Sequence, residues 1–209
     1  LRLELEGTTV EEVWLALSDP VLIEESLPGC QFLVEIEDTD PDFDELRERT
    51  EGRDVDPSGD PEVIAERAFE EKNHYAALMQ ISVGPVNPSF ETVVTIDHRE
   101  YPEMSASGEG SSGNSSFEMS SGMSLVGTDD GVKIDWETEA EVFGKVAQMG
   151  QRVINPVANR VVKRFFSSVQ DRLHELQMAD DEGSTEGADE DGRGLVDRVL
   201  GRSKTDSNT

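Results

Sequence analysis

The sequence predicts an α+β protein in which a curved antiparallel sheet wraps one long C-terminal helix. Three observations carry that expectation. Segments with period-two alternation recur between residues 75 and 142, which is the signature of strands with one buried and one wet face. From Lys145 onward the apolar residues recur every three or four positions instead, as one helical stripe. Ahead of both, residues 18–30 (SDPVLIEESLPGC) read as the end of one short helix, a second opening on Pro20, and a Pro28-Gly29 turn leading into a strand at Cys30.

Taken in order, residues 1–7 alternate Leu1, Leu3 and Leu5 with polar positions and form the first strand. Thr8 or Thr9 caps the next helix, with Glu11 and Glu12 in its first turn and Val10, Val13, Trp14 and Leu17 on its buried face. Gln31 to Glu37 is the second strand. Residues 38–73 then break the pattern with 14 acids against five bases, and their middle, GRDVDPSGDP, reads as loop. Within this insertion Pro61 to Glu71 predicts an amphipathic helix with Val63, Ile64, Ala68 and Phe69 turned inward. Tyr75, Ala77, Met79, Ile81 and Val83 share one strand face; Phe90, Thr92, Val94 and Ile96 the next; Phe117, Met119, Met123 and Leu125 another; and Val132, Ile134, Trp136, Ala140 and Val142 the last. Gly84-Pro85, residues 97–102, residues 110–114 and Asp129-Asp130-Gly131 supply the turns. The final stripe runs from Val146 through Met149, Val153, Val157, Val161, Phe165, Val169 and Leu173 to Leu176, roughly 30 residues or ~45 Å of helix. Pro156 lies within it and predicts a kink near Asn155 or a helix in two pieces.

These elements place one domain over residues 1–178. Residues 179–193 carry seven acids and no large apolar side chain, which predicts a disordered linker. Residues 194–209 begin with a short apolar face, Leu195, Val196, Val199 and Leu200, flanked by Arg198 and Arg202. That pattern is expected to touch a membrane or partner, weakly and reversibly because the apolar face is small.

Composition narrows the function. The 46 acidic residues outnumber 18 basic ones for a net charge of −28, which repels nucleic acid. Thirteen of the bases are Arg and five are Lys; excess carboxylate with little Lys points to a protein kept soluble in a salt-rich cytoplasm. Cys30 is the single cysteine, so no internal disulfide forms. No run of about 18 apolar residues exists, and the first residues have no leader pattern, so a cytoplasmic protein, peripheral on the inner face of the membrane, is expected. Six bases between Lys145 and Leu176, and four between residues 193 and 204, are positive islands suited to an acidic partner or anionic headgroups.

Four segments together resemble the carbon monoxide dehydrogenase CoxG family of the START-type (SRPBCC) helix-grip superfamily: TTVEEVWLALSDPVLIEESLPGC, ISVGPVNPSF, GEGSSGNSS and FGKVAQMGQRVINPVANRVVKRFFSSV. The resemblance covers most of residues 1–37 and 74–176. It implies a helix-grip fold, with two short helices after strand one and a curved seven-stranded sheet around the long helix. It also implies a non-catalytic accessory role beside a molybdenum hydroxylase of the carbon monoxide dehydrogenase type, at the membrane, with a quinone or other lipid in the cavity. The insertion at 38–73, Pro88 and Pro156 depart from the family pattern.

No catalytic or metal-binding set emerges from the residues themselves. Gly108-Glu109-Gly110-Ser111-Ser112-Gly113 matches G-x-G-x-x-G, but strand-like residues follow it where a phosphate site needs a helix, so it reads as a flexible hairpin. Cys30 has no partner motif, His74, His98 and His174 lack metal-ligand spacing, and Asp38, Asp40, Asp42 and Asp44 lack the glycine and glutamate of a calcium loop. The expected ligand cavity is lined by Met79, Ile81, Phe90, Met104, Phe117, Met119, Met123, Trp136, Met149, Val153 and Val157. Adaptable methionines suit an irregular apolar guest, with ordinary core filling as the plainer account. A polyketide cyclase or aromatase, or a free lipid carrier, are the alternative functions. The cyclase would need polar acid–base groups facing inward, whereas the inward positions read as almost entirely apolar.

Overall fold

The structure is a computed structural model that describes residues 1–53, 61–68 and 73–183. Strand β1 (Arg2–Glu6) leads into helices α1 (Val10–Ala16) and α2 (Pro20–Ser26), then β2 (Cys30–Glu35). Helices α3 (Phe43–Thr50) and α4 (Pro61–Ala68) follow. Five strands come next: β3 (His74–Gln80), β4 (Ser89–Glu100), β5 (Glu103–Ser112), β6 (Ser115–Gly127) and β7 (Gly131–Gly144). A 3-10 turn (Ala147–Met149) precedes the long helix α5 (Gln151–Gly183). All seven strands form one antiparallel sheet in the order β1-β7-β6-β5-β4-β3-β2.

The two short helices start where their first residues dictate. Thr9 and Glu12 close a capping box: the Thr9 hydroxyl accepts from the Glu12 amide at 3.3 Å, and the Glu12 carboxylate accepts from the Thr9 amide at 2.7 Å. Asp19 caps α2 by accepting from the Val21 amide at 3.0 Å, and Pro20 occupies the first turn, where it forfeits no helical hydrogen bond.

Four expectations are corrected. Strand β4 runs on to Glu100, so the turn is Tyr101-Pro102 alone, joined by a cis peptide bond. Gly108 to Ser112 is regular strand and not a flexible hairpin; the turn is Gly113-Asn114, with Gly113 at φ +56°. Pro156 lies inside one continuous helix and not between two pieces, and the break before that helix falls at Gly150, whose φ of +76° suits glycine. Pro156 is the sixth helical residue, just beyond the first four amides that have no helical acceptor, so it removes a bond only near the frayed end. Helix α5 also extends to Gly183, past the domain boundary expected at 178; the expected linker beyond it and the tail at 194–209 lie outside the described residues.

The two helices of the insertion pack in different places. Phe32, Val34, Ala76 and Leu78 face the convex side of the sheet and are buried there with Leu46 of α3, with Phe43 and Ile36 beside them. Helix α4 packs instead against α1 and α2. Its Ile64 and Ala68 are buried as expected, but Val63 is exposed, and Phe69 lies outside the described residues. Arg67 of α4 donates to the Asp19 carboxylate at 2.8 Å, tying the insertion to the α2 cap. Asp19 is fully buried, and that desolvation, outweighing Arg67 and the cap amides, holds its carboxyl above the usual carboxylate range.

Two separate core clusters form on the concave face. One joins Leu5, Val13, Trp14, Leu17, Leu125, Val132 and Ile134 to Phe165, Phe166, Val169 and Leu173 of α5. The other joins Leu33, Tyr75, Ala77, Met79 and Phe90 to Val146, with Met149, Val153 and Val157 packed against it. Helix α5 spans both, buried at its Phe165–Leu173 end and only half-buried through Val153, Val157 and Val161.

Candidate functional site

Strand register decides what faces the hollow between sheet and helix. One cross-strand row on the concave face is Ala140–Met119–Gly108–Val94, and the next is Thr138–Ser121–Ala106–Ile96. These rows lie between the two core clusters. Ala106 and Met119 are half-buried, Thr138 and Ala140 are exposed, and none of the four belongs to either cluster. Small residues in the middle of a concave sheet project little from it, so these two rows are the least covered part of that face.

The glycines of β5 have a packing role. A Cβ on Gly110 would stand 2.4 Å from Cε1 of Phe117 and 2.9 Å from Oγ1 of Thr92. A Cβ on Gly108 would meet Cε of Met119 at 3.2 Å. Phe117 and Met119 are the cross-strand partners of these two glycines and lie across them. The phenyl ring of Phe117 also meets Phe90 edge-on, with centroids 5.3 Å apart at 69°. The G-x-G spacing therefore admits large side chains over the sheet; strand precedes and follows it, so the phosphate alternative has no helix to use.

The expected lining residues occupy three places. Met104, Met123 and Trp136 share one row beside the first cluster. Met79, Phe90 and Phe117 sit on the concave face with the second, and Met119 bridges the small-residue rows. Ile81, Met149, Val153 and Val157 lie at one end, where a Cβ on Gly84 of the loop between β3 and β4 would come within 4 Å of Met149 and Val153. The structure thus distributes these side chains over the concave face and the helix start that crosses it, most of them packed in or against one of the two core clusters.

The interior is less uniformly apolar than the sequence predicts. A bulge between Ile96 and His98 shifts the register of β4, so Arg99 pairs with Met104 and joins the concave row Arg99–Met104–Met123–Trp136. Thr92, Ser121 and Thr138 add hydroxyls to the same face, and Glu35 and Tyr75 stand opposite each other at its β2–β3 edge. Period-two counting from Phe90 misses Arg99 because an inserted residue reverses the parity of everything after it.

Cys30 is not poised for chemistry. Burial, helped by the nearby Glu24 carboxylate, pushes its thiol up to about 12, and its Sγ donates to the Phe32 carbonyl at 3.3 Å. His74 hydrogen-bonds Thr95 at 3.0 Å and His174 the Glu6 carbonyl at 2.9 Å. Among the described residues no group of three metal-ligating side chains occurs, and no helix is long and apolar enough to cross a membrane. Asp42 of the aspartate run caps α3, accepting from the Asp44 amide at 2.9 Å and the Glu45 amide at 3.1 Å. Of the bases on the last helix and its approach, Lys145, Arg152, Arg160, Lys163 and Arg164 are exposed. Arg172 differs, being ion-paired with Glu25 and Glu175.

Comparison with known proteins agrees with this architecture. A conserved protein from Geobacillus kaustophilus superposes with a TM-score of 0.62 at 23% identity, covering 83% of this chain and 93% of that one. A START superfamily protein from Mycobacterium smegmatis superposes with a TM-score of 0.54 at 11% identity, over 84% and 96% of the two chains. These likenesses establish the helix-grip fold. No curated protein matches the chain. The sequence profile of the carbon monoxide dehydrogenase component CoxG matches residues 67–174, which is 108 of the 209 residues. With the helix-grip architecture around it, that match places the chain in the carbon monoxide dehydrogenase CoxG family.

Proposed function

We propose that this protein is a non-catalytic binder of a hydrophobic small molecule, a quinone or other lipid, serving a molybdenum hydroxylase of the carbon monoxide dehydrogenase type. The observation that supports the binding reading is the small-residue middle of the concave face, where Ala106, Gly108, Ser121 and Ala140 separate two apolar clusters. Burying an apolar guest there gains roughly 25 cal/mol per Å² of surface removed from water. The family's name supports the enzyme partner. Delivery to or from a membrane rests on the exposed bases of α5 and on the amphipathic tail at 194–209.

A cyclase would need an acid–base pair working near neutral pH in the hollow. In the two middle rows the polar groups are Ser121 and Thr138, and Arg99 follows in the next row. Hydroxyls and a guanidinium do not exchange protons near neutrality, and the Glu35 carboxylate stands at the β2–β3 edge, away from these rows, which favours the binder. Two measurements test the proposal. Organic extraction of the purified protein followed by mass spectrometry should yield a lipid or quinone, and decylubiquinone should quench Trp136 fluorescence saturably in a Trp14→Phe background. Absence of both a co-purifying guest and saturable quenching would refute it. Capture of a molybdenum hydroxylase on immobilised protein tests the partner separately.

A further inference from the structure

We infer that the row Arg99–Met104–Met123–Trp136 receives the head of the bound molecule, and that this head carries oxygen acceptors. The inference rests on the binding reading above and deepens it. Two nitrogen donors in this row are out of reach of solvent and have no acceptor among the described residues: Nε of Arg99 and Nε1 of Trp136. Burying a donor without a partner is costly, and native proteins rarely tolerate it. Here two occur at opposite ends of one row, on the same face, three strand spacings or about 14 Å apart at their backbones.

The two groups are positioned differently. The Trp136 ring stacks edge-on against Phe166 of α5, with centroids 5.4 Å apart at 76°, and Phe166 is fully buried. Arg99 is steered by a weak bond from its terminal nitrogen to the Ala68 carbonyl at the end of α4, at 3.5 Å, which leaves Nε uncommitted. Between them lie Met104 and Met123, unbranched side chains that adjust to the outline of a guest. The next row adds the small residues Ala106 and Ser121, toward which an apolar tail runs. The bulge is what makes this arrangement: without it, Arg99 would point to the wet face. The chemistry that matches is an amphiphile with a carboxylate or quinone-type carbonyl at one end.

Isothermal titration with decanoate, decylubiquinone and butylbenzene (an apolar probe with no acceptor) tests this on the wild type, Trp136→Phe and Arg99→Met. Trp136→Phe keeps the aromatic contact and deletes the indole N–H. The expected result is a five- to tenfold weaker Kd for the two oxygen-bearing probes in each variant, with butylbenzene within about twofold. A larger loss for decanoate than for the quinone in Arg99→Met identifies a carboxylate head; equal losses identify a carbonyl head. Unchanged affinities for all three probes in both variants overturn the head-group assignment and leave the cavity reading standing. Failure of all three to bind the wild type overturns both. Thermal melts of the variants separate a binding loss from unfolding, and Trp136→Phe stands alone should Arg99→Met fail to fold.

Discussion

Three glycine-to-alanine substitutions in neighbouring strands should have three different outcomes, and the structure orders them. At Gly110 the new methyl would sit 2.4 Å from Cε1 and 2.7 Å from Cζ of Phe117, inside any tolerable contact. The ring must lift, and lifting it breaks the edge-on contact with Phe90 at 5.3 Å. Overpacking costs about 1–3 kcal/mol and the lost aromatic pair about 0.5–1.5 kcal/mol. Against this, alanine loses less conformational freedom on folding than glycine, by about 0.5–1 kcal/mol. The net is a destabilisation of about 0.5–4 kcal/mol. At Gly108 the methyl meets Cε of Met119 at 3.2 Å, the far end of a flexible side chain, so the cost and the gain cancel to within about 0.5 kcal/mol. At Gly122 no atom lies within 4 Å, so the entropy gain remains and stability rises by about 0.5–1 kcal/mol. Urea titration followed by circular dichroism reads all three as shifts in midpoint at unchanged slope. A Gly110→Ala protein as stable as the wild type, or three indistinguishable variants, would show that Phe117 does not lie over the strand as described.

Other outcomes follow from the same structure. Leu46→Ala should cost about 2–4 kcal/mol in urea unfolding, because α3 covers the convex face of β2 and β3 through this residue; a loss below about 1 kcal/mol would mean the helix is not seated there. Asp19 has a folded-state pKa above its unfolded value, so the native state gains this proton first as pH falls. Stability of the wild type relative to Asp19→Asn should therefore improve on acidification from about pH 7 toward 4, and the opposite slope would contradict the burial of that carboxyl. Cys30, with its thiol raised to about 12, should resist Ellman's reagent at about pH 8 in the native protein and react at once in urea; rapid native reaction would place it at the surface. Removing residues 194–209 should reduce sedimentation with anionic liposomes, and unchanged sedimentation would leave the tail without that role.

Local chemistry was the most readable part of this chain. Thr9 with Glu12, and Asp19 with Pro20, start helices by contacts within three residues, so the sequence alone contains the whole cause. Alternation likewise showed which side chains turn toward the concave face, from Phe90 to Ile96 and from Phe117 to Leu125. What was hidden depends on partners distant in sequence. Gly108 and Gly110 look like loop until Phe117 and Met119 are seen lying over them. Helix α3 offers few apolar residues of its own; its signal was elsewhere, in Phe32, Val34, Ala76 and Leu78, which make β2 and β3 apolar on both faces and so demand a cover. Arg99 escaped because nothing in Asp97-His98 announces an extra residue in the ladder. Pro156 does not split the helix: its penalty depends on depth within it, and it sits only six residues in.

The uneven seating of α5 bears on how cargo would get in and out. Phe165, Phe166, Val169 and Leu173 fasten one end of the helix into a closed core, while Val153, Val157 and Val161 leave the other end lightly held. Free energies of local opening are graded in the same way, from small at sparsely packed segments to the global value in the core. Fraying of the Gln151–Val161 turns would therefore uncover that end of the concave face while the anchored end stays put. Exchange of a guest would then need neither a dedicated lid nor global unfolding, and its rate would follow the strength of contacts at Met149, Val153 and Gly84.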